Sequence, residues 1–139
     1  MNIYPTLCVS TLNLDHRSKN SNIKGLALIS VDATSKKFTD SLEYITSVFK
    51  KIKDPKDWKR YEICIMKYNT VVHWILPTAL ANLKAAKHHQ AKSDMNSVLA
   101  VPNICEAQFV GSSPLTERNK AVHDIADMTA DIIRYLFAN

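Results

Sequence analysis

Apolar residues recur every three or four positions along residues 24–53, which is the spacing of one face of a helix. This stripe comprises Leu28, Val31, Phe38, Leu42, Ile45, Phe49 and Ile52, with Ser35 in the missing place. Gly25 and Ile29 weaken the helical pattern in the first half, which is also compatible with a strand. The second half, residues 39–53, is predicted to be helical.

The next segment has the most regular pattern in the chain. Asp54 and Pro55 form a helix start, because Asp caps a free N–H group and Pro has no N–H to leave unpaired. The apolar positions then follow helical steps: Trp58, Tyr61, Ile65, Tyr68, Val72 and Ile75. This seam is predicted to pack on a partner helix. Pro77 must kink or end the helix, because it removes one backbone hydrogen bond.

The C-terminal part is predicted to be an irregular linker followed by a helix. The linker, residues 95–113, contains Pro102 and Gly111. Ser113 and Pro114 repeat the cap-and-proline start. The buried face of the last helix comprises Leu115, Val122, Ile125, Ile132 and Leu136, with Thr129 between them. The chain is therefore predicted to be all-α, an antiparallel bundle of about four to five helices with short connections.

Length and composition support this fold class. A chain of 139 residues with 46% hydrophobic residues can bury one core, so we predict a single bundle domain over residues 24–139. Residues 1–23 are predicted to form an N-terminal arm or a short strand. Only two glycines are present, and tight β-turns usually need glycine, which argues against a sandwich or meander.

The positive charge is concentrated in one part of the chain. The formal net charge is +5, and residues 36–67 carry nine Lys and Arg against five Asp and Glu. Such a segment suits a polyanion such as RNA or DNA, or forms a solvated lysine-rich face.

The cysteines Cys8, Cys64 and Cys105 are widely separated and odd in number. We therefore predict neither a disulfide framework nor a zinc site, and no cofactor, and we expect a reducing cytoplasm. The N-terminus lacks the basic and apolar regions of a signal peptide. No apolar run is long enough to cross a bilayer, so no membrane partner is expected.

The segment RNKAVH, residues 118–123, carries the most specific candidate chemistry. Asn119 and His123 share one helix face, whereas Arg118 lies on another side. A His can move a proton to or from a ribose hydroxyl near neutral pH, and an Arg can stabilise a phosphate whose charge builds in the transition state. Convergence of Arg118 and His123 requires the reach of the Arg side chain or a second copy of the helix.

An Arg followed by a polar residue, often Asn, and then by a His on a helix of an all-α bundle resembles the motif of the HEPN domain superfamily. The resemblance implies a metal-independent endoribonuclease of a toxin–antitoxin or defence system, acting as a homodimer. It implies that His123 is the general acid/base, that Arg118 stabilises the phosphate and that Asn119 orients the others. Attack by the 2′-hydroxyl of RNA would leave a 2′,3′-cyclic phosphate, and an antitoxin or a defence-complex protein would be a further partner.

Contacts to the RNA backbone are expected from seven basic residues: Lys50, Lys51, Lys53, Lys56, Lys59, Arg60 and Lys120. The alternative function is a non-catalytic helical binding module, such as an antitoxin, an immunity protein or a small subunit of a nucleoprotein complex. On that interpretation RNKAVH is helix surface, with Lys120 paired to Asp124 and His123 exposed. Both functions are compatible with the sequence.

Overall fold

The computed structural model describes residues 23–111 and 113–137. The elements are α1 Ile23–Phe49, α2 Pro55–Thr70, a π-helical turn Val71–Ile75, α3 Leu76–Lys84, α4 His88–Glu106 and α5 Thr116–Arg134. The π-helical turn joins α2 to α3 without a break, so these two form one long helical rod. No strand occurs in these residues, and the predicted all-α bundle is confirmed. The predicted N-terminal arm or strand lies outside the described residues, except for Ile23, which begins α1.

The rods form a closed four-member bundle in chain order. Helix α1 packs on α2 and α5, and α4 packs on α5 and on the α2–α3 rod. Lys24 at the start of α1 donates from Nζ to the backbone carbonyl of Lys84 at the end of α3, at 3.3 Å. Opposite ends of neighbouring rods therefore meet, as expected for an antiparallel arrangement with short turns.

The start of α2 follows the predicted cap. The Asp54 carboxylate accepts a 2.9 Å hydrogen bond from the backbone N–H of Lys56, and Pro55 is the first helical residue. Along the predicted seam, Tyr61 and Tyr68 are buried. Trp58 lies on the same seam but is 41% exposed, because it stands in the first turn, at the end of the bundle.

The backbone accommodates Pro77 by a widened turn. The N–H of Leu76 donates to the carbonyl of Val71, five residues back, which is the π-helical pattern. In a regular α-helix the ring of Pro77 would press on the carbonyl of His73, and the wider turn lies at that point. The helix therefore does not end at Pro77 but continues to Lys84.

The predicted irregular linker is wrong over residues 95–106, which belong to α4. The buried residues Met95, Val98, Val101 and Cys105 recur at helical spacing and face the neighbouring rods. Pro102 lies inside this helix. A proline in a helix interior costs about 3 kcal/mol, and the buried apolar face of α4 offsets that local cost.

A disulfide joins Cys64 of α2 to Cys105 of α4, with the two Cα atoms 4.8 Å apart. Both side chains are fully buried. This cross-link corrects the expectation that the cysteines form no disulfide framework. The pair is 41 residues apart in sequence, and only the packing of α2 on α4 brings the two thiols together. Cys8 lies outside the described residues.

Candidate functional site

Arg118 lies where α5 meets α1. Its guanidinium carbon is 3.7 Å from the centroid of the Tyr44 ring, and the residue is half-buried. A guanidinium over an aromatic face is attracted by the negative potential of the ring. Arg118 thus ties the first turn of α5 to the exposed side of α1.

Asn119 is buried, with 4% of its surface exposed, and it connects three helices. Its Oδ1 accepts a 2.6 Å hydrogen bond from the hydroxyl of Tyr68 in α2. Its Nδ2 donates a 2.8 Å hydrogen bond to Oε1 of Glu106 at the end of α4. Because both atoms of the amide are satisfied within the protein, Asn119 links the bundle from inside.

Glu106 is the charged member of this network. The Thr116 hydroxyl donates to its Oε2, and Ser113 supplies a further side-chain hydrogen bond. Burial raises the pKa of Glu106, but the hydrogen bonds from Thr116, Asn119 and Ser113 outweigh burial, so that the pKa lies below its ordinary value. The carboxylate therefore stays ionised into mildly acidic solution.

The pKa of Tyr68 shifts in the opposite direction. Burial raises it first, the negative charge of Glu106 raises it further, and the positive charge of Arg118 lowers it only in part. The phenol of Tyr68 therefore remains a hydrogen-bond donor at all physiological pH values.

His123 lies one turn beyond Asn119 and is half-buried rather than exposed. Within the described part of the chain, no hydrogen bond or ion pair involves its imidazole. The three residues of the motif thus have separate surroundings: Arg118 contacts Tyr44, Asn119 contacts the Tyr68 hydroxyl and Glu106, and His123 has no polar partner among these residues. The Lys120–Asp124 ion pair predicted for the surface of the helix is present, at 2.9 Å.

The remaining predicted basic residues cluster around the turn between α1 and α2. Four of them are exposed: Lys50, Lys51, Lys53 and Lys56. Lys59 pairs with Glu62 at 2.9 Å, and Arg60 pairs with Asp57 at 2.8 Å. Six of the seven basic residues thus lie in and just after the α1–α2 turn, whereas Lys120 lies on a different helix, α5.

A surface on α2 and the π-helical turn was missed by the sequence analysis. Met66 is 61% exposed and Trp74 is 73% exposed. Together with Lys67, Asn69, Thr70 and His73 they line an open groove of about 500 Å³, and we call these six residues the α2 face. The sequence contains a signal for this surface, because Met66 and Trp74 lie outside the apolar seam of the most regular helix. Large apolar side chains there have no partner helix to cover them in the described bundle.

Two kinds of site are absent from the described residues. No group of three or more His, Cys, Asp or Glu side chains is arranged to hold a metal ion in residues 23–111 and 113–137. In the same residues, no helix combines the length and apolar character that a membrane span needs.

Comparison with known proteins identifies relatives of this bundle. Residues 2–132 match the family model described as plant invertase/pectin methylesterase inhibitor. The cell wall / vacuolar inhibitor of fructosidase 1 of Arabidopsis thaliana is 29% identical over 126 residues, which is 91% of this chain and 60% of that protein. The pectinesterase inhibitor of Actinidia deliciosa is 31% identical over 143 residues, which is 95% of this chain and 73% of that protein. The chain thus spans less than two thirds of the Arabidopsis relative.

Solved structures share the fold. A mutant form of a pectin methylesterase inhibitor from Arabidopsis superposes with a TM-score of 0.79 at 19% identity, covering 96% of this chain and 90% of that one. A second crystal structure, of a pectin methylesterase inhibitor from Arabidopsis thaliana, gives a TM-score of 0.75 at 19% identity, covering 95% and 88%. At this identity the likeness shows the fold of the bundle.

These relatives overturn the resemblance to the HEPN superfamily and the endoribonuclease function derived from it. The similarity rested on one short segment, RNKAVH, whereas the family model covers almost the whole chain. A polar residue near the start of a packed helix can form hydrogen bonds inside the protein. Asn119 does so with Tyr68 and Glu106. The alternative of a non-catalytic helical module is closer, but its role in a nucleoprotein complex finds no match among these relatives.

The predicted partners and compartment are wrong for the same reason. RNA and an antitoxin or defence-complex protein were expected, whereas one relative is named as an inhibitor of fructosidase and the other as a pectinesterase inhibitor. The homodimer followed only from the HEPN resemblance and loses its basis. The cytoplasmic location is contradicted by a relative named for the cell wall and vacuole. The buried Cys64–Cys105 disulfide also argues against a reducing compartment.

Proposed function

The chain belongs to the plant invertase/pectin methylesterase inhibitor family, and on that premise we propose that it is a non-catalytic protein inhibitor that binds a pectin methylesterase or an invertase. Its relatives carry these two activities in their names, one as an inhibitor of fructosidase and one as a pectinesterase inhibitor. The proposal includes a location in the cell wall or vacuole, where a structural disulfide persists.

The observation that supports a binding surface is the exposure of Trp74 and Met66 on the α2 face. Trp is enriched among the residues that dominate binding energy at protein interfaces, and exposed apolar side chains grouped at one place commonly mark such sites. Burying each of these side chains against a partner would contribute about 1.5–3 kcal/mol. The adjacent Lys67, Asn69 and His73 provide polar groups for the rim of an interface.

The backbone behind the α2 face is held firmly, which reduces the entropy lost on binding. Tyr68 and Val71 on the opposite side of the rod are fully buried. The Cys64–Cys105 disulfide fastens the rod to α4 just before the face begins. The hydroxyls of Thr70 and Thr78 bond to the carbonyls of Met66 and Trp74, at 3.0 and 2.7 Å, so they are satisfied along the helix surface. The face therefore presents its side chains from a preorganised helix.

Inhibition on this account is steric and requires no chemical step by the inhibitor. A rigid helix face that docks beside the substrate cleft of the enzyme would exclude a polysaccharide or sucrose from the catalytic residues. Because the contact is apolar at its centre, the complex should tolerate high salt better than one held by surface ion pairs.

The test is inhibition of two enzymes by the purified, oxidised protein. A plant pectin methylesterase and a plant acid invertase would each be titrated with the wild type and with Trp74→Ala. We expect inhibition of one of them, weakened at least about tenfold by the substitution. The matched control is Val110→Ala, which removes a side chain that is 90% exposed on another part of the surface.

The outcomes separate the function from the site. Failure of the folded wild type to inhibit either enzyme would overturn the proposed function. Inhibition that is equally strong in wild type, Trp74→Ala and Val110→Ala would retain the function but remove the α2 face from the interface.

A further inference from the structure

A second surface lies at the turn between α1 and α2, where Lys50, Lys51, Lys53 and Lys56 are exposed. With Trp58 we call these residues the basic turn. Among the described residues, none of the four lysines forms an ion pair. The two nearby carboxylates are engaged: Asp54 caps α2, and Asp57 pairs with Arg60 at 2.8 Å. The four ammonium groups therefore form a local positive surface.

The basic turn also contains an exposed aromatic side chain. The Trp58 ring lies against the Phe49 ring, with the centroids 5.1 Å apart, which holds the indole in place. Even so, 41% of Trp58 remains exposed, although it belongs to the apolar seam of α2. The structure thus combines a fixed aromatic surface with four lysines that have no ion pair within residues 23–111 and 113–137.

From this combination we infer that the basic turn binds an anionic polysaccharide, namely the de-esterified galacturonan chain of pectin. The lysines would contact the uronate carboxylates, and the C–H face of a sugar ring would pack on the indole of Trp58. The choice of this polyanion rests on the pectin methylesterase alternative of the proposed function, because that enzyme hydrolyses methyl esters and leaves carboxylates on the chain. The inhibitor would then be retained where the polysaccharide has already been demethylated.

The charge of the ligand gives the inference its specificity. A highly methyl-esterified pectin has the same sugar backbone but few carboxylates, so it offers the lysines little to bind. Binding should therefore follow the degree of de-esterification and decline as salt screens the exposed charges over about 10 Å at 0.1 M ionic strength. The α2 face lies further along the rod, so that one molecule can contact the polysaccharide and the enzyme through different residues.

The experiment measures binding of the whole protein to polygalacturonate, in the absence of any enzyme, by affinity electrophoresis and calorimetry. Highly methyl-esterified pectin is the counterpart with few carboxylates, and RNA and heparin are polyanions of other chemistry. The test variant carries Lys50→Gln, Lys51→Gln, Lys53→Gln and Lys56→Gln. The control variant carries the same loss of charge at four other exposed positions: Lys36→Gln, Lys37→Gln, Lys84→Gln and Lys87→Gln.

Trp58 provides an independent signal of binding. The chain has two tryptophans, so in the Trp74→Phe variant Trp58 is the sole indole fluorophore. We expect polygalacturonate to shift its emission at concentrations that match the calorimetric titration, and methyl-esterified pectin to leave it unchanged. This readout needs no truncation of Trp58 and therefore does not depend on how a smaller side chain would affect folding.

We expect polygalacturonate binding that the basic-turn variant weakens at least about tenfold and the control variant weakens by much less. Equal losses in the two variants, or equally tight binding of RNA and heparin, would overturn the inference in favour of net charge alone. Absence of binding by the wild type would also overturn it. The basic-turn variant should still inhibit the target enzyme as the wild type does, so failure here is distinguishable from failure of the proposed function.

Discussion

The hydroxyl of Tyr68 donates a 2.6 Å hydrogen bond to the amide oxygen of Asn119, across the interior of the bundle from α2 to α5. Both residues are buried, and Phe38 of α1 packs against the Tyr68 ring with the centroids 5.3 Å apart. The amide of Asn119 continues to Glu106 of α4. One polar chain therefore connects three helices, and it includes Asn119, the second residue of the RNKAVH motif.

Substitution of Asn119 should destabilise the fold. Asn119→Ala leaves the Tyr68 hydroxyl and one oxygen of Glu106 without this partner, at a cost of about 1–3 kcal/mol. Tyr68→Phe should cost a comparable or smaller amount, since it removes only the donor. Urea unfolding of both variants and of the double variant measures the coupling, and the double should lose less than the sum of the singles. Strict additivity would show that the hydrogen bond contributes nothing to stability.

The stability of the fold should depend on Glu106 at acidic pH. Its folded-state pKa lies below the ordinary value of 4.5, owing to hydrogen bonds that outweigh burial. Its contribution is therefore fully present above about pH 4.5 and is lost as the pH falls through the lower, folded-state pKa. Glu106→Gln should be less stable near neutrality and should lose less on further acidification.

Thermal unfolding of wild type and Glu106→Gln at a series of pH values from 7 downward, with steps on the order of half a pH unit, checks this expectation. Glu117→Gln is the matched control, because Glu117 is an exposed carboxylate in the first turn of α5. If both variants follow the wild-type pH dependence, the network around Glu106 has no role in acid stability.

Loss of the disulfide should lower stability substantially. Cross-linking two residues that are 41 apart restricts the unfolded chain and is expected to stabilise by about 3–4 kcal/mol. The double substitution Cys64→Ala and Cys105→Ala should therefore lower the midpoint of urea unfolding markedly. Reduction of the wild type should lower the midpoint of urea unfolding by a similar amount. The single substitution Cys64→Ala should lower the midpoint of the reduced protein only a little further. Unchanged unfolding after complete reduction would contradict the assignment.

Ala86 occupies a position that favours glycine. It has a φ of 59° in the turn after α3, where Lys87 N–H bonds to the Asn82 carbonyl and Ala86 N–H bonds to the Leu83 carbonyl. This is the Schellman pattern, in which a left-handed residue closes the helix. Ala86→Gly should therefore stabilise the fold by about 0.5–1 kcal/mol, since the left-handed conformation strains alanine.

The control for this prediction is Ala81→Gly within α3. Ala81 is exposed and helical, so the same substitution should destabilise by about 0.5–1 kcal/mol. Thermal unfolding of the two variants should thus shift in opposite directions. A decrease for both would show that the strain at Ala86 is smaller than the flexibility that glycine adds to the unfolded chain.

Local patterns predicted much of the bundle. The three-and-four spacing of α2 and the Asp54–Pro55 start depend on neighbours within one or two turns, and both were confirmed. The α4 helix was missed because Pro102 looked like a break, while the burial that holds it in a helix comes from other rods. Trp58 was predicted to pack on a partner helix because of its spacing, but it is 41% exposed. Spacing does not indicate where along the bundle the partner helix ends.

The candidate site was less predictable for a related reason. The RNKAVH motif was interpreted from the chemistry of its own side chains. Arg118 and Asn119, however, contact residues on α1, α2 and α4, which lie far away in sequence. The sequence did not predict the α2 face, because the exposure of Trp74 depends on which helices pack around it in the assembled bundle. Side-chain types suggest which reactions are possible, but their partners decide which groups are free to react.

The sequence by itself determined that the chain is helical, where α2 begins, which side of α2 faces the bundle and where positive charge is concentrated. Those properties follow from backbone caps, helical periodicity and composition, all of which act over short distances along the chain. The tertiary structure alone decided that Cys64 meets Cys105, that Asn119 is an internal link and that Trp74 is left uncovered. These depend on which helix faces meet, and that choice is made by burial of the whole apolar surface at once.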